Sequence, residues 1–224
     1  MNKSIVRIMI LKDWRLHRVP ILLSIAGGIA ALSLFQLKTQ ASGFLGATWF
    51  FVSLIVLGSM MPISNVINER KKQTLPFMMS FPISTFQYTT AKLVSTVGMF
   101  LIPWVTLVIA GLSLIISRSD IPEGIIPMML VLAGFTFVGF CVIASAALVS
   151  ESEGWSIAAT IACNSSYGFV WYLIIRNPAM RADLGSKVPV WSPIMLNMLG
   201  GQLAFIVLVL GITFYLQSRK RDFI

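Results

Sequence analysis

The chain has 224 residues, of which 57% are hydrophobic and only 11% are charged. Soluble domains average about 45–50% apolar and about 25% charged residues, so this composition, with a mean hydropathy of +0.86, indicates a membrane protein. No connection between spans is long enough for a soluble catalytic domain of about 50 residues. The net charge of +9 would suggest nucleic-acid binding in a soluble protein, but here the basic residues flank apolar stretches and meet lipid headgroups.

The amino-terminal stretch Ile5–Arg18 is predicted to be helical. Its basic and apolar residues fall on opposite sides of a helical wheel, although Lys12 and Asp13 blur the division. We expect a helix lying along the inner membrane surface, and the alternative is a basic tail that only orients the protein. The single histidine, His17, is expected to be solvated or to face the headgroups.

Six apolar stretches are long enough to cross about 30 Å of hydrocarbon as helices. They are Pro20–Leu37, Phe44–Ile63, Leu93–Ile116, Ile125–Val149, Ser156–Ile175 and Leu199–Leu216. No interior of these stretches contains Asp, Glu, Lys, Arg or His, so all charged residues are assigned to connections and tails. A charge at a span centre costs about 2.5–3.5 kcal/mol and usually marks function. The sequence thus predicts an all-α integral membrane protein without intramembrane proton or ion chemistry.

The distribution of Lys and Arg predicts the orientation of the chain. An even number of spans places both termini on one side, which would hold twelve basic residues against five on the other. The twelve are Lys3, Arg7, Lys12, Arg15, Arg18, Arg70, Lys71, Lys72, Lys92, Arg219, Lys220 and Arg221. Both termini are therefore expected in the cytoplasm, although the inner connection Ser150–Trp155 carries Glu151 and Glu153.

The longest inner connection, Ser64–Lys92, contains an unusual apolar cluster. A short helix over residues 75–81 is predicted to end at Pro82, and Ser84 is placed to cap a helix over Thr85–Lys92. A solvated loop would not expose the large side chains Phe77, Met78, Met79 and Phe81 together. We expect this segment to contact a partner protein; burial at the membrane interface is the alternative.

The outer connection 176–198 contains three prolines and Trp191 near the membrane. It is predicted to be either partly re-entrant or an ordinary loop with an aromatic anchor. Uncharged polar residues enter the last two spans, namely Asn164, Ser165, Ser166, Tyr167 and Gln202. They are predicted either to hydrogen-bond between helices or to line a weakly polar substrate path.

Motifs for catalysis and metal binding are missing from the sequence. It contains no GxxxxGK[ST] phosphate loop, no HExxH and no Cys/His set with metal spacing. Cys141 and Cys163 fall within spans and are expected to behave as small buried hydrophobic residues. No catalytic residue and no metal site are therefore predicted, and any energy for transport is expected to come from outside the chain.

The connection from Glu69 to Lys92 resembles the corresponding segment of permease subunits of type-2 ATP-binding-cassette exporters. In that family the segment reads roughly Glu-Arg, a basic residue, Gly-Thr-Leu, two Leu-like residues, an apolar residue before Pro, a Ser, and a Lys eight residues later. Matching residues are Glu69, Arg70, Lys71, Thr74, Leu75, Phe81, Pro82, Ile83, Ser84 and Lys92. Gln73 replaces the usual Gly, and Pro76 stands where Glu is common.

The resemblance implies a membrane subunit that works with other chains. Two six-span subunits, identical or paralogous, would form the substrate pathway in a bacterial inner membrane, with two ATPase subunits beneath them. Residues 1–19 would be the connecting helix, and the Leu75–Ser84 segment would be the coupling helix that docks on the ATPase. Glu151–Gly154 would be a second, smaller contact. ATP and Mg²⁺ would be bound by the ATPase subunits, and none directly by this chain.

The leading hypothesis is thus a permease subunit of an ATP-driven exporter that has no catalytic activity alone. A second hypothesis is a membrane scaffold or sensor without transport activity, in which the same helix recruits a cytoplasmic signalling partner. A small membrane enzyme is less favoured, because only scattered charged residues such as Glu151, Glu153 and Asp183 are available at the interface.

Overall fold

The computed structural model describes residues 3–68 and 85–219, and these residues form a bundle of helices. The elements are α1 (Lys3–Ser33), a 3₁₀ turn (Leu34–Leu37), α2 (Gln40–Pro62), a π turn (Ile63–Ile67), α3 (Thr85–Ser117), α4 (Ile125–Ser150), α5 (Glu153–Arg176), α6 (Pro178–Asp183) and α7 (Pro193–Arg219). Within these ranges, α1–α5 and α7 are long and apolar enough to cross a membrane. The prediction of six candidate spans is confirmed, as is a helix that covers Thr85–Lys92.

Helix α1 contains two segments that were predicted as separate elements from the sequence. The predicted interfacial helix Ile5–Arg18 and the predicted span from Pro20 form one helix of 31 residues, Lys3–Ser33. Pro20 lies inside this helix, where its missing N–H removes a backbone hydrogen bond. The boundary placed before Pro20 is therefore wrong, because one absent donor does not end a helix that packs along its length against α2 and α3.

The turn between α1 and α2 is fixed by local hydrogen bonds. Lys38 takes a left-handed conformation (φ 51°) at the end of the 3₁₀ turn. Thr39 then caps α2, since its side-chain oxygen accepts a hydrogen bond from the Ser42 N–H at 3.1 Å. The Ser42 hydroxyl oxygen accepts the Thr39 N–H at 3.3 Å, which completes a capping box. This turn reverses the chain, so α1 and α2 lie side by side and antiparallel.

The centre of the bundle is α4, which packs against α2, α5 and α7, while α1 packs against α2 and α3. Phe140 of α4 stacks on Phe100 of α3, with ring centroids 4.3 Å apart and planes 10° from parallel. Trp104 of α3 donates its indole N–H to the Ala133 carbonyl oxygen of α4 at 2.9 Å. Aromatic pairs of this kind contribute about 0.5–1.5 kcal/mol beyond the area they bury.

The two ends of the bundle differ, and we name them after Lys92 and Lys38. At the Lys92 end lie Asp13 of α1, the start of α3 and Gln217 of α7, whose side-chain amide donates to the Leu148 carbonyl oxygen. Both described chain ends therefore lie at the Lys92 end, as an even number of spans requires. At the Lys38 end, the Gly124 N–H donates to the Ser186 carbonyl oxygen at 2.9 Å and holds the 177–192 segment against the α3–α4 connection.

Candidate functional site

A buried ion pair lies at the Lys92 end of the bundle. The Lys92 ammonium lies 3.2 Å and 3.1 Å from the two carboxylate oxygens of Asp13. The Lys92 side chain is 0% exposed and that of Asp13 is 1% exposed. Asp13 comes from α1 and Lys92 from α3, so the pair joins two helices that are far apart in sequence.

Neutral polar side chains complete the network around this pair. Lys92 also donates to Asn65 Oδ1 at 3.2 Å, and the Ser95 hydroxyl donates to Asp13 Oδ2 at 2.8 Å. Asn65 in turn donates its amide to Ser95 Oγ at 3.1 Å and to Thr96 Oγ1 at 2.7 Å. The hydrogen bonds close a ring through Asp13, Lys92, Asn65 and Ser95. We call these residues, with Thr96, the polar network.

The two charges of the polar network lie within helices, just outside the predicted spans that begin at Pro20 and Leu93. Asp13 and Lys92 both lie within helices that are candidate membrane spans. Asp13 is 20 residues from Ser33, which at 1.5 Å per residue is about 30 Å of helix. The pair thus lies about the thickness of a hydrocarbon layer from the other end of α1, and not at the middle of that helix. Burial of two charges is tolerated because each has its opposite partner and further hydrogen bonds.

His17 is also buried, contrary to the expectation that it is solvated or faces headgroups. Its side chain is 5% exposed, and its Nδ1 atom lies 2.9 Å from the Asp13 carbonyl oxygen one turn earlier. The tautomer with a proton on Nδ1 donates this hydrogen bond. The reason for the difference is that α1 packs along α3 at this level, so the side chain points into the bundle.

The polar network flanks both ends of the segment that resembles a coupling helix. Asn65 belongs to the π turn just before residues 69–84, and Lys92 lies in the first turns of α3 after them. A π turn leaves a local widening of the helix and often occurs at functional positions. The predicted coupling residues Glu69, Arg70, Thr74, Leu75, Phe77, Met78, Met79, Phe81, Pro82 and Ser84 lie outside the described residues.

The predicted smaller contact, Glu151–Gly154, lies at the same end of the bundle. Glu151 ends α4 in a left-handed conformation (φ 57°), and Glu153 lies in the first turn of α5, where a negative charge is favourable. A cluster of buried apolar side chains packs the end of α4 against the π turn and α3. Its members are Val66, Ile67, Leu93, Ala147 and Leu148. The fold therefore places the Glu151–Gly154 turn and both flanks of residues 69–84 at one end.

The predicted polar residues of the last two spans do not form a single site. Asn164, Ser165 and Ser166 are exposed on α5. Tyr167 packs against Phe51 of α2, with ring centroids 5.8 Å apart. Gln202 of α7 is buried instead, and its amide donates to the Val131 carbonyl oxygen at 3.0 Å. Gln202 thus makes the interhelical hydrogen bond that was one of the two predicted roles, whereas the role of the α5 residues stays a prediction.

Sequence reasoning missed the polar network, although the sequence contains one signal for it. Asp13 is the only acidic residue before Glu69, in a stretch otherwise rich in Lys and Arg. A single acidic residue in an otherwise basic and apolar helix indicates that its carboxylate is paired with a cationic side chain. Lys92 was recognised as one of the basic residues that orient the chain and as the final residue of the exporter-like motif, but not as a partner of Asp13.

Neither a metal-binding group among the described residues nor a match to a known protein identifies the function of this chain. Among the residues described, no group of three or more His, Cys, Asp and Glu side chains could hold a metal ion. Cys141 is buried and Cys163 is half-buried, and both thiols are free. No protein-family model, no curated protein and no solved structure matches the chain.

Proposed function

We propose that this protein is the membrane-spanning subunit of an ATP-driven exporter. Two copies, or one copy and a paralogue, would enclose the substrate pathway, and separate ATPase subunits would bind on the cytoplasmic side at the Lys92 end. The observation that carries the proposal is the exporter-like motif of residues 69–92, whose last residue, Lys92, joins Asn65, just before the motif, in one polar network with α1.

The polar network gives a physical route for movement from the 69–84 segment into the bundle. A partner that pushes on this segment acts on the π turn at one end and on α3 at the other. Since Asn65 and Lys92 both bond within a network that includes Asp13, displacement of either flank also acts on α1. Buried, hydrogen-bonded elements move as units more readily than they deform, which suits the transmission of force.

The exposed polar surface of α5 supports the presence of a second membrane subunit. Asn164 is at the middle of a 24-residue candidate span and is exposed in the isolated chain. An amide facing hydrocarbon is unfavourable, whereas an amide facing another helix or an aqueous pathway is satisfied. Ser166 donates to the Ala162 carbonyl oxygen of its own helix at 2.7 Å and needs no second partner. Asn164 therefore supports a second subunit or an aqueous pathway more strongly than Ser166 does.

Affinity purification of the tagged chain from its native membranes tests the proposal. We expect an ATPase with a GxxxxGK[ST] loop to co-purify, and the double substitution Phe77→Asp/Phe81→Asp to abolish its recovery. Both substitutions place charge on the apolar cluster without entering a predicted span. Val188→Asp is the matched control, because Val188 is 62% exposed in the connection at the opposite end.

Unchanged ATPase recovery by the Phe77→Asp/Phe81→Asp variant would count against docking through this segment. Recovery of a signalling protein without any ATPase would favour the alternative of a membrane scaffold or sensor. Membrane insertion of every variant is checked by resistance to carbonate extraction.

A further inference from the structure

A second feature, at the Lys38 end, is independent of the proposed transport function. A cavity of about 250 Å³ lies among α1, α2, α3, α4 and Trp171 of α5. Apolar and aromatic side chains and two glycines line it, and none of the lining residues is charged. Its volume exceeds the roughly 150 Å³ of an apolar protein cavity that binds benzene.

Water is a poor occupant for this cavity. A buried water needs about two to four polar partners, and the lining side chains are almost all hydrocarbon. The helix backbones around the cavity use their polar groups within the helices. A hydrocarbon chain, in contrast, makes dispersion contacts with all of these walls and loses no hydrogen bond.

The rim of the cavity carries a cation. Phe35 lines the cavity, and its carbonyl oxygen accepts a hydrogen bond from Arg118 Nη1 at 2.8 Å. Arg118 is also paired with Asp120, at 2.9 Å from Nε to Oδ1. Lys38 follows three residues after Phe35, is exposed, and forms no ion pair among the described residues. Its ammonium is thus available to a ligand.

The backbone N–H of Lys38 and Arg118 Nη1 both donate to the Phe35 carbonyl oxygen, at 3.3 Å and 2.8 Å, so Lys38 lies beside the Arg118–Asp120 pair. Hydrogen bonds from Arg118, and the positive charges of Arg118 and Lys38, lower the pKa of Asp120. Arg118 is therefore neutralised by its own carboxylate partner, and Lys38 supplies the excess positive charge.

We propose that this cavity binds one acyl chain of a membrane phospholipid, whose phosphate lies at Lys38. The apolar walls select the chain, and the cation at the rim selects the phosphate over an uncharged headgroup. A phospholipid from the leaflet at the Lys38 end would thereby hold the α1–α2 turn and the α3–α4 connection together.

Photolabelling of the full chain in lipid nanodiscs tests the occupant. The probe is phosphatidylcholine with a diazirine in its acyl chain, and labelled positions are located by peptide mass spectrometry. We expect the Met128–Leu132 segment, which lines the cavity, to label at least about tenfold more than the buried Phe140–Ala144 segment of the same helix. Equal labelling of these two segments would overturn the proposal.

A substitution that fills the cavity provides the second measurement. A Cβ at Gly43 would have its nearest neighbour, Phe35, at 3.9 Å, so Gly43→Leu adds volume to the cavity without a backbone clash. We expect it to remove most labelling of Met128–Leu132 and to leave labelling of the exposed Leu203–Leu208 stretch of α7 unchanged. Gly211→Leu is the matched control, since a Cβ there meets nothing within 4 Å.

Full labelling of Met128–Leu132 in a monodisperse Gly43→Leu protein would contradict chain binding in the cavity. If that variant does not fold, Ile121→Phe fills the cavity from its rim and is expected to give the same loss.

The phosphate is tested separately with diazirine-labelled diacylglycerol, which has the same chains but no phosphate. We expect phosphatidylcholine to label the cavity at least about threefold more than diacylglycerol, and Lys38→Gln, but not Lys187→Gln, to remove the difference. Equal labelling by both probes in the unchanged protein would overturn the assignment of the phosphate to Lys38.

Discussion

Asp13 and Lys92 carry opposite charges that are both withdrawn from solvent, so each depends on the other. Loss of Lys92 leaves the buried Asp13 carboxylate with only Lys12, whose ammonium lies 3.4 Å from Oδ1 on a 44% exposed side chain, so most of the roughly 3–5 kcal/mol cost of breaking a buried pair is expected. We therefore expect Lys92→Met to lower the free energy of unfolding by about this amount, measured by denaturant titration in mixed micelles. The double variant Asp13→Leu/Lys92→Met should lose less than Lys92→Met alone, because no charge remains buried.

Lys187→Met removes an exposed lysine and is the matched control, with an expected change within about 0.5 kcal/mol. A double variant that is less stable than Lys92→Met would show that the charges are not compensating each other.

The Arg118–Asp120 pair predicts a dependence of stability on pH at the opposite end of the bundle. The hydrogen bonds from Arg118 lower the pKa of Asp120 below its ordinary value of 3.8. A lowered pKa in the folded state means that the stabilising contribution is present above the ordinary value and is lost as pH falls through the lowered one. The melting temperature of Asp120→Asn should thus lie below that of the unchanged protein at pH 7, and the difference should shrink as the pH falls below 3.8. A difference in melting temperature that stays constant from pH 7 to below 3.8 would exclude the Arg118–Asp120 ion pair as the source of that difference.

Helix α2 approaches α1 closely because residue 46 has no side chain. A Cβ at Gly46 would lie 2.8 Å from the Ala31 carbonyl oxygen, an atom of the α1 backbone that cannot rotate away. We expect Gly46→Leu to destabilise the protein by about 1–3 kcal/mol through overpacking, measured by the same denaturant titration. Gly201→Leu is the control because nothing lies within 4 Å of a Cβ there. Equal effects of both substitutions would contradict close α1–α2 packing.

The helices themselves could be predicted from sequence, because hydropathy over about 20 residues reports the cost of placing each residue in lipid. The continuity of α1 through Pro20 could not, since it depends on packing against α2 and α3 rather than on local preference. The polar network was missed for the same reason. Lys92 and Asp13 are 79 residues apart, and an isolated sequence gives no measure of their contact.

The chain, with six candidate spans among its described residues, presents a polar surface on α5 that a single subunit leaves exposed. If a second copy covers this surface, cysteines at Ser165 on two copies should form a disulfide-linked dimer in membranes under mild oxidation. Cysteine at Val207, which is 72% exposed on α7, should cross-link much less and serves as the control. Equal cross-linking at both positions, detected by non-reducing electrophoresis of a variant without Cys141 and Cys163, would argue against a specific α5 interface.

The proposed function makes this chain dependent on bound ATPase subunits. Native mass spectrometry of the complex released from membranes in mild detergent tests the claim most directly, since each copy of this chain contributes 24.7 kDa. We expect an assembly with two membrane subunits, each of this chain or a paralogue, and two subunits of an ATPase that contains a phosphate-binding loop. Intact assemblies of this chain that contain no nucleotide-binding subunit would contradict it.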